Sequence, residues 1–143
     1  KNISQSEAKK YIFGYCIVDD ISERDFQKNR GGQWIKGKSA DTFGPIGPYL
    51  VTPDEIPNVQ NLNMFLDVND KRMQTGNTGK MIFNINHILS YLSNFMTLLP
   101  GDIVTTGTPP GVGDGKKPPI YLKKGDKMRL EIDLLGYQLH HVK

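Results

Sequence analysis

The sequence predicts a mainly β chain with few helices, an α+β fold, and three observations carry that expectation. Short apolar runs alternate with polar residues at period two, Gly and Pro are plentiful between them, and one stretch alone repeats its apolar residues at helical spacing. With 15 Gly and 9 Pro in 143 residues, the elements must be short and joined by turns. A chain of this length buries about 68–70% of its unfolded surface on folding, enough for a core of its own. A hydrophobic fraction of 37% with 23% charged residues excludes a disordered chain.

Ser4-Gln5-Ser6-Glu7 has the form of a capping box and predicts a short helix to about Lys10. Extended backbone follows from Phe13 to Val18 and ends in Asp19 and Asp20. A second box, Ser22-Glu23-Arg24-Asp25, starts another short helix, which places Arg24 and Gln27 one turn apart on a common face. Asn29 to Gly37 reads as a loop around Gly31-Gly32. Gly44, Pro45, Gly47 and Pro48 prolong the irregular backbone until a brief strand at Tyr49-Leu50-Val51.

Leu62, Met64, Leu66 and Val68 alternate with Asn63, Phe65 and Asp67, Asn69-Asp70 supplies a turn, and Arg72 to Gln74 returns as the second arm of a hairpin. INHILSYLSNFMTLL predicts a buried helix behind an Asn84 cap, running to Leu99 and stopped by Pro100-Gly101. Asp102 to Thr106 reads as a buried strand before the turn-rich GTPPGVGDGKKPP. Met128, Leu130 and Ile132 alternate with Arg129, Glu131 and Asp133, and Gly136 leads into a final strand. The chain holds no internal repeat.

The formal charge of +3 is scattered, with Lys28/Arg30, Lys116/Lys117 and Lys123/Lys124 as the close pairs. Without a basic stripe interleaved with aromatics, a nucleic-acid partner is not expected. No apolar run reaches the length of a membrane span and no signal-peptide pattern opens the chain, so a cytoplasmic address is expected. Cys16, the single cysteine, has no internal disulfide partner, which suits a reducing compartment. Lys1 lies a few residues from the first helix signal with no strand before it, so an N-terminal portion of the domain is expected to be missing.

The chemistry concentrates after the first strand, in YCIVDDISERDFQ. Asp19, Asp20, Glu23 and Asp25 crowd there with Arg24 as their only cation, and the mutual repulsion calls for positive charge nearby. Successive side chains of a strand face opposite sides, so Asp19 and Asp20 do not both line one pocket while the strand continues. A carboxylate at a strand end suits a hard cation such as Mg2+, and a pair of solvated turn acids capping the next helix fits the spacing as well. Lys38 and Thr42 share the Gly-flanked segment GKSADTFGPIG, where a lysine would hold a substrate carboxylate or a developing enolate, or simply be solvated. Thr108, in the Gly-Thr-Pro-Pro turn, offers a hydroxyl to a carboxylate, or only makes the turn.

GVGDGKK is no P-loop, because Pro110 stands where Gly is required and Lys117 where Ser or Thr is required. His87, His140 and His141 have no partner at metal-ligand spacing, and Cys16 lacks a histidine to activate it.

In order, GYCIVDDISERDFQ, GGQWIKGKSADTFGPIGPYLVT, QTGNTGKMIF and YLSNFMTLLPGDIVTTGTPPGVG closely resemble the C-terminal catalytic domain of the fumarylacetoacetate hydrolase family. The match runs from about Ile12 to the end, and GDGKKPPIYLKKGDKMRLEIDLLGYQ is most similar to the 2,4-diketo-3-deoxy-L-fuconate hydrolase or ureidoglycolate lyase-like branch. The resemblance implies rolled mixed β-sheets, a homodimer, and Mg2+ or Mn2+ as cofactor. By motif matching it implies Asp20 as a metal ligand, Arg24 and Gln27 as substrate contacts, Lys38 and Thr42 beside metal and substrate, and Thr108 on the substrate carboxylate. Lys38 and Arg24 take the catalytic roles, and Asp19, where relatives often have Asn, a secondary one.

The activity implied is metal-dependent hydrolysis of a C–C bond in a 2,4-dioxo acid, the 2-oxo acid chelated to the metal and cleaved through an enolate. The same enolate supports decarboxylation or isomerisation of 2-hydroxy-2,4-dienedioate or oxaloacetate-type substrates. In the family, two further metal carboxylates spaced as Glu-x-Glu and a His/Glu pair precede this region, and nothing here replaces them. Residues 1–143 are therefore expected to be the later part of the catalytic domain, inactive alone and weak in binding Mg2+. A non-catalytic scaffold is the competing expectation.

Overall fold

The computed structural model describes residues 1–143. It contains six strands and two α-helices, with short 3-10 turns between them. Strands β1 (Tyr15–Val18) and β2 (Ile46–Val51) form an antiparallel ribbon. Strands β3 (Asn63–Val68), β4 (Lys71–Asn77), β5 (Lys127–Ile132) and β6 (Gly136–His141) form a second sheet in the order β4-β3-β5-β6. Every ladder inside this chain is antiparallel.

The β3–β4 hairpin turns on Asn69 and Asp70, with φ of 50° and 62°. Positive φ at both central residues is what a two-residue hairpin turn needs, and Asn and Asp tolerate it best after Gly. β3 is half-buried on both faces from Met64 to Val68. Its Phe65 is roofed by Arg72, 3.9 Å from the ring centre, and Arg129, 5.1 Å away. Such contacts stabilise by about 0.5–1 kcal/mol each at exposed sites.

Ile17, Val51, Ile56, Leu62, Leu130 and Leu135 pack as the core, with Tyr15, Val59, Leu66 and Ile132 against it. This core joins the ribbon to the sheet. Gln138 of β6, itself buried, donates from Nε2 to the carbonyls of Ile17 (3.2 Å) and Gly47 (2.9 Å), one on each ribbon strand. The end of β1, where the carboxylates begin, is thus held from behind by a polar tie as well as by packing.

Several sequence expectations are corrected. The Ser4 box does not cap a helix: Ser4 Oγ pairs with Ser6 Oγ, and a 3-10 turn starts later, at Ala8. Helix α2 (Ile85–Phe95) takes its Asn84 cap as expected, Oδ1 accepting from the His87 N–H, yet it ends four residues before Leu99, with Met96 already extended. Nor is α2 a buried helix. Phe83, Tyr91, Phe95, Met96 and Leu99 stay exposed, and Ser93 is its one fully buried residue. Asp102 to Thr106 forms no strand and is largely exposed, because no strand of this chain runs beside it to accept its hydrogen bonds.

Candidate active site

The first strand delivers its acids into a neighbourhood where each finds a different partner. Asp19 turns inward: it is buried, its Oδ2 has no hydrogen-bond partner, and His140 Nε2 stands 3.9 Å away. Burial pushes the Asp19 carboxyl above the usual range, against the attraction of His140. Asp20 turns outward, its side chain 59% exposed, and accepts at Oδ2 from Lys38 Nζ at 2.7 Å. Glu23 caps α1 (Arg24–Lys28) by accepting from the Asp25 N–H, taking the role expected of Ser22. Asp25 pairs with Arg30 at 2.8 Å. The crowding of carboxylates is relieved by two cations and a helix N-terminus within the chain itself.

Lys38 is held from two sides, donating also to Ser22 Oγ at 2.7 Å. Its backbone is placed by Gly37, which is buried against α1: Gly37 O accepts from the Glu23 N–H at 2.9 Å. A Cβ on Gly37 would lie 2.5 Å from Glu23 O and 2.6 Å from Gln27 Cβ, so only glycine allows this approach.

On α1 the expected face is formed. Arg24 Nη1 donates to Gln27 Oε1 at 2.6 Å, and the buried Gln27 keeps an unpartnered Nε2. Thr108 is exposed, its hydroxyl accepting from Gln74 Nε2 at 2.8 Å, while the same amide donates to Pro109 O at 2.7 Å. Thr42 is exposed in the turn closed by Phe43 N and Ala40 O. The structure therefore joins Asp20 to Lys38 and Arg24 to Gln27. No hydrogen bond or ion pair brings Thr42 or Thr108 to those four.

Three participants escaped the sequence. Ser22 read as a cap and is instead a Lys38 partner. Gln74 read as one arm of a hairpin and anchors Thr108. Asp114, the acid within GVGDGKK, accepts from Lys28 Nζ at 2.6 Å and lies 4.0 Å from Arg24 Nε. The sequence shows only an acid between two glycines ahead of Lys116 and Lys117, which does not say what it pairs with.

Asp20 offers one carboxylate to a divalent cation, with Lys38 already on one of its oxygens. No three His, Cys, Asp or Glu side chains converge into a metal site. An octahedral ion that retains water needs more than one such carboxylate.

All of residues 1–143 match the family described as "Fumarylacetoacetate (FAA) hydrolase C-terminal". The chain belongs to the fumarylacetoacetate hydrolase family. A relative from Burkholderia lata, provisionally named a hydrolase, is 53% identical over 144 residues, covering 100% of this chain and 51% of the relative. The fumarylacetoacetate hydrolase of psychrophilic Exiguobacterium antarcticum superposes with a TM-score of 0.96 at 38% identity, over 100% of this chain and 51% of that one. Maleylpyruvate hydrolase from Sphingobium sp. SYK-6, solved with manganese (II) and pyruvate, gives 0.84 at 34% identity, over 99% and 48%. A 2-hydroxyhepta-2,4-diene-1,7-dioate isomerase from Mycobacterium marinum gives 0.86 at 39%, over 99% and 52%. The chain thus spans about half the length of the curated relatives it matches. The mainly β architecture inferred from alternation is the family's fold, and family members include hydrolases and isomerases.

Proposed function

We propose that residues 1–143 are the later part of a metal-dependent hydrolase that cleaves a C–C bond in a 2,4-dioxo acid. The observation that carries this reading is the Asp20–Lys38 pair: a solvent-facing carboxylate at a strand end with a half-buried ammonium 2.7 Å away. The manganese and pyruvate bound by the Sphingobium relative support a 2-oxo acid and a divalent ion as its ligands. When bound, Mg2+ or Mn2+ supplies Lewis-acid polarisation of the 2-oxo group, with Asp20 as one ligand and the others contributed from outside these residues.

The chain's own residues supply charge and orientation. Lys38, fixed by Asp20 and Ser22, sets a positive charge where an enolate oxygen develops. Arg24, steadied by Gln27, offers its remaining N–H groups to the substrate, and the free Nε2 of Gln27 is a further donor. The Thr108 and Thr42 hydroxyls complete the carboxylate and substrate contacts once the whole pocket assembles. We place the protein in the cytoplasm as a homodimer. No helix is long and apolar enough to cross a membrane, and the exposed apolar row on α2 suits a covered face.

The name of the M. marinum relative favours a second reading, isomerisation or decarboxylation through the same intermediate. The incomplete donor set favours a third, a non-catalytic scaffold. Assay of the polypeptide comprising residues 1–143 and the residues encoded before them separates these. With Mn2+, acylpyruvate is expected to yield pyruvate and a carboxylic acid, and Asp20→Ala to remain folded with nearly all turnover lost. Turnover of a hydroxydienedioate or oxaloacetate alone supports the second reading, and no turnover of any 2-oxo acid supports the third.

A further inference from the structure

The loop from Gly107 to Tyr121 carries Thr108 and is seated at both ends. At its start Gln74 of β4 holds Thr108 and Pro109, and a Cβ on Gly111 would collide with the Met73 carbonyl. At its far end Gly113 abuts the Ile120 carbonyl, leaving no room for a side chain, while its own carbonyl accepts from the Ile120 and Lys116 N–H groups at 3.0 and 3.2 Å. The residue between these constraints is Asp114, in a 3-10 turn (Gly113–Gly115), with its side chain only 20% exposed.

Asp114 reaches across to α1. Its Oδ2 accepts from Lys28 Nζ at 2.6 Å and stands 4.0 Å from Arg24 Nε, and its Oδ1 accepts from the Tyr121 hydroxyl at 3.1 Å. Two cations therefore share one rigid carboxylate. Lys28 is half-exposed and its pair with Asp114 is a surface one, but Arg24 is only 24% exposed and is held at Nη1 by Gln27 and near Nε by Asp114. The Gln27 hydrogen bond and the charge of Asp114 on the Nε side together bias the guanidinium toward one direction for its remaining donors.

We propose that Asp114 is a positioning residue, aiming Arg24 and fastening the Thr108 loop to α1 so that two parts of an anion pocket keep one spacing. This inference rests on the proposed function, since it takes Arg24 and Thr108 as substrate contacts.

The test uses the same longer polypeptide loaded with Mn2+, oxalate as a 2-oxo acid mimic, and the variants D114N, K28Q and R24Q. D114N is expected to weaken oxalate about tenfold in titration calorimetry and to raise KM by a similar factor with kcat little changed. In the R24Q background D114N should cost less than it does alone, because the share of its effect that travels through Arg24 is already gone and only the loop's share remains. Amide exchange from Gly107 to Tyr121 should rise in both D114N and K28Q while that of β5 and β6 stays unchanged, which separates a loosened loop from general misfolding. Oxalate affinity unchanged in D114N, full additivity with R24Q, or unchanged loop exchange in both variants overturns the inference alone. A parent that binds no oxalate overturns the proposed function and the inference with it.

Discussion

Lys38 has two oxygen partners and sits between a helix and a strand end, so its ammonium is fixed before any ligand arrives. Such preorganisation is what makes a charge useful to a reaction, since nothing need reorganise as the anion forms. Lys38→Met in the complete protein is expected to lower kcat by about 10²–10³ while the thermal midpoint changes little. A kcat within a few-fold of the parent would remove Lys38 from the chemistry. Another residue-scale expectation concerns acid. The Asn69 amide and the Lys123 N–H hold the Asp126 carboxyl below the ordinary carboxylate range, as Arg30 does for Asp25, Lys28 for Asp114 and Thr52 for Asp54. A carboxyl with a lowered folded value contributes stability that is present above its unfolded value, near 3.8, and lost as pH falls through the folded one. Urea midpoints should therefore drop between about pH 4 and pH 2, and Asp126→Asn should flatten part of that slope. The Arg24–Gln27 pairing was legible because helix spacing is local, whereas the nearness of Lys38 to Asp20 was implied only by the family resemblance. The partners Ser22, Gln74 and Asp114 were not legible, because their contacts span 16, 34 and 86 residues, separations that spacing does not encode.

Helix α1 is short and owes its place to Gly37 as much as to its own cap. Helices of this length are marginal alone, and tertiary packing must hold them. Gly37→Ala should force that contact apart and cost about 1–3 kcal/mol by chemical denaturation. It should also displace Lys38, so KM and kcat would both suffer; an unperturbed variant would show that the contact is looser than it looks. The hairpin, the final strand pair and the Asn84 cap were all readable, since turn chemistry and alternation act within a few residues. The Ser4 box, the last turn of α2 and the Asp102–Thr106 strand misled for a shared reason. Each has local propensity, but helices and strands this short form only where a neighbour accepts their apolar face or backbone groups.

At the scale of the whole molecule, Phe95, Met96 and Leu99, which helical spacing placed in a core, lie on the surface. Phe83, His87, Tyr91 and Phe95 form a row along α2 with ring centres 4.6, 6.2 and 4.9 Å apart in succession. Below them Leu92, Met96, Leu98, Ile103 and Val104 line an open groove. Periodicity reports which residues avoid water and not which chain covers them, so the pattern was legible and its burial was not. The proposed site has the same character: Asp20 and Lys38 pair within these residues, and no three His, Cys, Asp or Glu side chains gather around them. Titration of Mn2+, followed by the loss of its free electron-spin signal, tests this most directly. The longer polypeptide should take up a stoichiometric amount, its Asp20→Ala variant should not, and residues 1–143 alone should bind weakly. Equal, tight uptake by the Asp20→Ala variant would contradict the placing of a metal at the end of the first strand.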